Sequence, residues 1–131
     1  MFKYPTFIRL GHTDAADVIY FVNVFDLAHH CYEAMLYEHI SIREMIGKKE
    51  IIAPIVHAEA DYHKPLNVSD KVEIQMTLAK MGTSSYTFNY DFINEANELA
   101  VSVRITHVVI DVKTKKAIEI PEKIKKILTG V

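Results

Sequence analysis

Cysteine is nearly absent: Cys31 is the only one in 131 residues. No disulfide can form within one chain, and a reducing cytoplasm is the expected location. Long apolar runs are missing too. Nothing approaches the roughly 18 consecutive apolar residues of a membrane-spanning helix, and Met1–Leu10 carries Lys3, Pro5 and Arg9 where a secretory signal has its apolar core. A soluble, unprocessed chain is expected, without a membrane partner. Charge of one sign is also scarce. The formal net charge is −2, which gives no basic footprint for nucleic acid. The Lys-rich stretch KTKKAIEIPEKIKK is broken by Glu119 and Glu122 and reads as a solvated face. Repeats and low-complexity linkers are absent, so one domain over residues 1–131 is expected. A domain of this length buries roughly two-thirds of the surface of its unfolded chain.

What is present is periodicity. Hydrophobic residues make up 50% of the chain and charged ones 24%, an ordinary globular balance. The sequence predicts a short strand over Phe2–Leu10, ended by Gly11. From Phe21 to about Ile40 the pattern turns helical. Asn23, Asp26, His30, Glu33 and Tyr37 draw a polar stripe at spacings of three and four, and nearly everything between them is apolar. A helix apolar on most sides is predicted to be buried. Ser41–Lys49 is predicted to add a short second helix before the chain turns to strands.

Beyond Glu50 the period becomes two. Val72, Ile74, Met76 and Leu78 alternate with polar residues, as do Tyr86, Phe88, Tyr90 and Phe92. Leu99, Val101, Val103, Ile105, His107 and Val109 share a face, and Ile51–Tyr62 is a further strand. Clean alternation means antiparallel strands with one buried face. Gly82 and Asn94–Asn97 fit hairpin connections, and a last short helix is expected near Pro121. The fold class is therefore α+β: about five antiparallel strands wrapped around one long buried helix, which is the hotdog arrangement. Its edge strands lack partners, so a homodimer or homotetramer is expected.

The chemistry concentrates in GHTDAADVIYF, residues 11–21, which leads from the first strand to the helix. N–H groups in a helix's first turn have no intrahelical acceptor and carry partial positive charge, so they suit a developing oxyanion. A carboxylate just upstream can act there as nucleophile or general base. On spacing alone, the simpler role of capping the helix is the favoured reading of Asp14 or Asp17, and Asp17 suits the cap better.

GHTDAADVIYF, then His29, Tyr32 and Glu33, then PIVHAEADYHKPLNVSD at 54–70, resemble the 4-hydroxybenzoyl-CoA thioesterase family of hotdog enzymes. The resemblance is closest to the branch of 1,4-dihydroxy-2-naphthoyl-CoA hydrolases and extends from about Thr6 to Asp111. It implies hydrolysis of an aromatic or medium-sized acyl-CoA to free acid and coenzyme A, with Asp14 as the catalytic carboxylate and Phe21 N–H as the oxyanion donor. No cofactor is implied. Three departures stand out. Asp17 replaces the family's usual glycine. Phe21 stands where relatives of the Tol–Pal branch commonly have histidine. Gly82 and Thr83, in KMGTSSY, stand where 4-hydroxybenzoyl-CoA thioesterase has arginines that meet the nucleotide. Lys64, Lys80, Thr83 and Ser84 are then the candidates for the coenzyme A phosphates.

Other residues carry two readings each. Tyr20 is a wall of the acyl site or part of the core. His57 points at the acyl pocket or is a polar residue of the sheet. Glu33 lines the pocket, meets a partner subunit, or simply belongs to the helix's polar stripe. His107 is expected to be a hydrogen-bonded core histidine and Cys31 a structural thiol. His29 and His30, adjacent on a helix, diverge by about 100°, and the seven histidines lack ligand spacing, so no metal is expected. A hydratase of this fold would need histidine five residues after the aspartate, where Ile19 and Val22 stand. A non-catalytic acyl-binding module remains the alternative.

Overall fold

The computed structural model describes residues 1–44 and 50–131. Its main sheet has five antiparallel strands in the order β1 (Phe2–Phe7), β4 (Lys71–Met81), β5 (Ser85–Asn94), β6 (Leu99–Val108), β3 (Ile55–Tyr62). Helix α1, Asn23–Tyr37, lies on one face of it, and α2, Glu122–Thr129, follows near the C-terminus. This is the expected α+β hotdog arrangement. The predicted strand over Ile51–Tyr62 is split at Ala53–Pro54 into β2 (Ile51–Ile52) and β3. The short β2 pairs with β7 (Ile110–Asp111) in a two-stranded sheet of its own. Most of the second helix predicted over Ser41–Lys49 lies outside the described residues; residues 42–44 are helical.

The core follows from the two periodicities. Val24, Leu27, Ala28, Cys31, Tyr32 and Met35 recur at three and four along α1 and are buried. They join Val72, Ile74 and Met76 of β4, Tyr86, Phe88, Tyr90 and Phe92 of β5, and Val101, Val103 and Ile105 of β6 in one cluster. Each large side chain so buried contributes about 1.5–3 kcal/mol. The helix is narrower in its burial than its sequence suggests. Val22, Asp26, His29, His30 and Tyr37 are exposed, so one face is buried and the other open.

One detail of β6 corrects the simple alternation. Leu99 is exposed while Ala100 is fully buried, because the pairing with β5 shifts by one residue between Phe92 and Ile93. His107 is the expected core histidine. Its Nδ1–H donates to the Ala53 carbonyl at 2.9 Å, and its ring stacks with Tyr32 and Tyr86 at centroid distances of 4.7 and 5.0 Å. Burial disfavours the imidazolium and pulls its pKa below the usual value, against the hydrogen bond to Ala53. Burial likewise pushes the Cys31 thiol up to about 12, which leaves it without thiolate character.

Candidate functional site

The segment between β1 and α1 is a small hydrogen-bonded frame. Leu10–His12 form a 3-10 turn, and Arg9 N–H donates to His12 Nδ1 at 3.0 Å. That bond makes Nδ1 the acceptor, so neutral His12 carries its proton on Nε2. Partial burial, aided by Arg9, lowers its pKa. Thr13 and Ile19 then pair across the loop, and Val18 pairs with Asn67. Tyr20 N–H and Asn23 Nδ2–H both donate to the His12 carbonyl, at 2.8 and 2.9 Å, and so close the frame where the helix begins. Ile19 N–H reaches the Leu66 carbonyl at 2.8 Å and ties the frame to the segment preceding β4.

Asp14 sits at the tip. Its Oδ1 accepts Ala16 N–H at 2.8 Å and, more weakly, Val18 N–H at 3.4 Å, while its own N–H donates to the Val18 carbonyl at 2.9 Å. This is an Asx turn: it fixes one carboxylate oxygen. Among the described residues Oδ2 has no partner, and the side chain is solvent-exposed. A carboxylate held by one oxygen and open at the other can activate water or attack a carbonyl.

The capping role is overturned for both aspartates. Helix α1 starts at Asn23, and its N-cap, Val22, supplies no side-chain bond. Asp17 instead occupies a left-handed position, φ 62°, where its carbonyl accepts Asn67 Nδ2–H at 2.7 Å. That conformation is natural for glycine and tolerated by aspartate, so Asp17 can take the place of the glycine that the family resemblance implies here. Phe21 also lies outside the helix, in the turn before it rather than at its first residue. Its N–H finds no acceptor among the described residues, and its carbonyl accepts the Tyr62 hydroxyl.

Two further sequence candidates lie at or near this end, and a third lies farther along β3. Tyr20 is half-exposed and meets Phe21 edge-on at 4.9 Å. Lys64 follows β3 closely, and its Nζ is 2.9 Å from Glu98, so it is already paired. His57 lies on the same strand five residues before Tyr62, roughly 17 Å along it. Its side chain is exposed, 3.8 Å from Glu59, and does not point into the core.

Lys80, Thr83 and Ser84 are not brought to Asp14 within one chain. The loop is tied to the Leu66–Asp70 end of β4, by Ile8 N–H to the Asp70 carbonyl at 2.9 Å among other bonds. Thr83 and Ser84 follow the opposite end, roughly 34 Å away along an extended strand. Glu33 is half-buried on α1. Sequence reasoning missed His12, Asn23 and Asn67. The side chain of His12 bonds the backbone three positions away, but those of Asn23 and Asn67 reach backbone carbonyls eleven and fifty positions distant, which no local spacing announces.

An apolar cavity of about 230 Å³ lies elsewhere, between Leu36 and Ile40 near the end of α1, Ile51–Ala53, and Ile124, Ile127 and Leu128 of α2. None of the candidate residues lines it, and its polar side chains are the hydroxyls of Tyr32 and Tyr86, which are bonded to each other at 2.7 Å. The described residues hold no cluster of histidine, cysteine and carboxylate side chains fit for a metal ion. They form no helix long and apolar enough to cross a membrane.

Comparison with known proteins bears on the family and the fold. The model of the thioesterase-like superfamily matches residues 8–128. A 1,4-dihydroxy-2-naphthoyl-CoA hydrolase from Nostoc punctiforme is 34% identical over 125 residues, covering 94% of this chain and 83% of that one. The enzyme of the same name from Gloeothece citriformis is 31% identical over 125 residues, covering 93% and 87%. Among solved structures, a 1,4-dihydroxy-2-naphthoyl-CoA thioesterase from Synechocystis superposes with a TM-score of 0.90 at 26% identity, over 97% of this chain and 94% of its own. With a family match over nearly its whole length, the chain belongs to the thioesterase-like superfamily.

Proposed function

We propose that the chain is an acyl-CoA thioesterase acting on an aromatic acyl-CoA of the 1,4-dihydroxy-2-naphthoyl-CoA type. The observation that carries this reading is Asp14: a carboxylate anchored through Oδ1, open at Oδ2, on the loop that also presents the free Phe21 N–H. The names of the relatives supply the substrate class. The thioester carbonyl oxygen takes up negative charge against Phe21 N–H. Either Asp14 attacks the carbonyl carbon and water then hydrolyses the acyl-enzyme, or Asp14 takes the proton of a water that attacks directly. In both courses the C–S bond breaks, coenzyme A leaves as its thiolate, and water supplies the oxygen of the free acid. The chain's own carboxylate and peptide dipoles suffice for this chemistry.

The functional unit in this reading is a homodimer or homotetramer. Strand β3 is exposed along nearly its whole length, with Ile55, Val56 and Tyr62 each about half open to solvent. An apolar, unpaired edge is a template for a second copy. Thr83 and Ser84, remote from Asp14 in their own chain, would meet a coenzyme A bound at a partner's loop.

The test is a panel of acyl-CoAs, from benzoyl and naphthoyl types to C4–C16 chains, assayed with a thiol reagent for released coenzyme A. The aromatic thioesters are expected to have the highest kcat/KM. Asp14→Asn keeps the size and the Asx-turn acceptor but loses the charge, and should lower kcat on the order of 10²–10⁴-fold with a smaller change in KM. Asp14→Asn at wild-type kcat, or palmitoyl-CoA as the best substrate, would sink the corresponding half of the proposal.

A further inference from the structure

Phe21 is held from two sides by different parts of the fold. The carbonyl before it, on Tyr20, accepts Asn23 N–H at 2.9 Å. Its own carbonyl accepts the hydroxyl of Tyr62, the last residue of β3. A peptide unit is planar and trans, so fixing a carbonyl also fixes the N–H on the far side of the same unit. The Asn23 bond therefore sets where Phe21 N–H points. The Tyr62 bond restrains the next peptide plane, so the φ and ψ of Phe21 are restrained from both sides. Without Tyr62 only the first anchor remains, in an exposed turn where Tyr20, Phe21 and Val22 all face solvent.

We propose that Tyr62 is a positioning residue for thioester hydrolysis: its hydroxyl, reaching from β3 to the Phe21 carbonyl, holds the oxyanion-donor turn in its working geometry. This rests on the reading of Phe21 N–H as the oxyanion donor. Tyr62 does not touch the reacting atoms through this bond; it acts through Phe21. A solvated phenol on a strand end would hydrogen-bond equally well to water, so the bond adds order to the turn more than it adds stability. Oxyanion stabilisation needs donors that are already in place when charge develops, and a turn free to swing loses that advantage.

The experiment replaces one hydroxyl. Tyr62→Phe should lower kcat about tenfold, the worth of one net hydrogen bond, with KM within about twofold and the thermal midpoint within about 3 °C. Incorporation of p-aminophenylalanine at position 62 restores an N–H donor at the same place and should return kcat to within about threefold of wild type, whereas O-methyltyrosine, larger but without a donor, should not. Tyr62→Phe at full kcat overturns the proposal. So does a loss of kcat that p-aminophenylalanine fails to restore, because the ring's packing would then be what matters. The Asp14→Asn enzyme run alongside separates the two levels. If wild type releases coenzyme A and Asp14→Asn does not, a silent Tyr62→Phe overturns the positioning role alone. If wild type hydrolyses no thioester, both fall together.

Discussion

Strands β5 and β3 lie in one sheet, separated only by β6, and they are opposites. In β5, Tyr86, Phe88, Tyr90 and Phe92 are all essentially inaccessible, closed over by α1 and by strands on both sides. In β3, Ile55 and Val56 are 46% and 58% exposed, and Ala60 alone of the eight residues is not exposed. Both strands are rich in apolar residues. What separates them is whether this chain supplies the partner. It completes β5 and leaves one edge of β3 unpaired. The loop that carries Asp14 and Phe21 shares the character of β3: ordered by backbone bonds, open to solvent, with apolar side chains exposed. Stability and the proposed function therefore sit in different parts of the sheet, and Tyr62 joins them.

The sharpest way to break that contrast is to truncate each strand. Phe88 is fully buried and 6.2 Å from the Tyr32 ring. Phe88→Ala should cost about 3–5 kcal/mol, a large share of a small domain's stability. Val56→Lys, on the exposed strand, should leave the far-UV circular dichroism unchanged and move the mass in light scattering toward the monomer, because a lysine on an edge opposes pairing. A Val56→Lys chain that unfolds would show β3 to be part of the core after all. One that keeps the assembled mass would remove β3 from the interface.

A smaller effect arises on the strand between them. His107 of β6 pairs with Tyr86 of β5 on one side and Ile55 of β3 on the other. Burial lowers its pKa in the folded chain, so as pH falls below about 6.5 the unfolded chain takes up the proton first. Stability should be flat above that pH and decline below it, toward the folded-state value. His12 shifts in the same direction. Glu98 and Asp111, held below their usual range by Lys64 and Thr114, act only in a more acidic window. His107→Asn keeps a donor for the Ala53 carbonyl and should flatten the fall in thermal midpoint between pH 7 and 5, while starting lower at pH 7 for want of the stacked ring. An unchanged slope would assign the acid sensitivity elsewhere.

How much of this was legible beforehand depended on the range of the interaction. The alternation of β4 and β5 and the three-four spacing of α1 are local patterns, and they returned the elements within a few residues. The loop motif carried the choice of Asp14 through its resemblance to a family, since spacing alone fitted a cap as well. The cap reading failed because the helix begins later than its apolar pattern: Phe21 and Val22 belong to the pattern but precede the helix, which starts at Asn23. The exposure of β3 was hidden, because its apolar residues read like those of a strand buried within its own chain. Tyr62, Asn23 and Asn67 were illegible as anchors, since each bonds a backbone carbonyl brought near only by the fold.

The smallest expected effect bears on Asp17, and it tests whether the loop is as firmly framed as β5 is packed. At φ 62° a residue with a Cβ is strained, least so for aspartate and asparagine. Asp17→Gly removes that strain but frees the unfolded chain by about 0.5–1 kcal/mol, so the two changes should nearly cancel. The bond from Asn67 to the residue 17 carbonyl survives, because it uses backbone. The thermal midpoint should therefore move by no more than about 2 °C. The rate of hydrolysis should stay within about threefold of wild type, since the Asx turn of Asp14 uses Ala16 and Val18 rather than the Asp17 side chain. Asp17→Val is the contrasting arm: a β-branched side chain at this φ should cost about 1–2 kcal/mol and shift the turn that sets Asp14. If Asp17→Gly abolishes hydrolysis, the Asp17 carboxylate belongs in the mechanism and Asp14 does not act alone. If Asp17→Val is as active and as stable as wild type, the frame is loose, and the anchoring of Asp14 through Oδ1 does not set its chemistry.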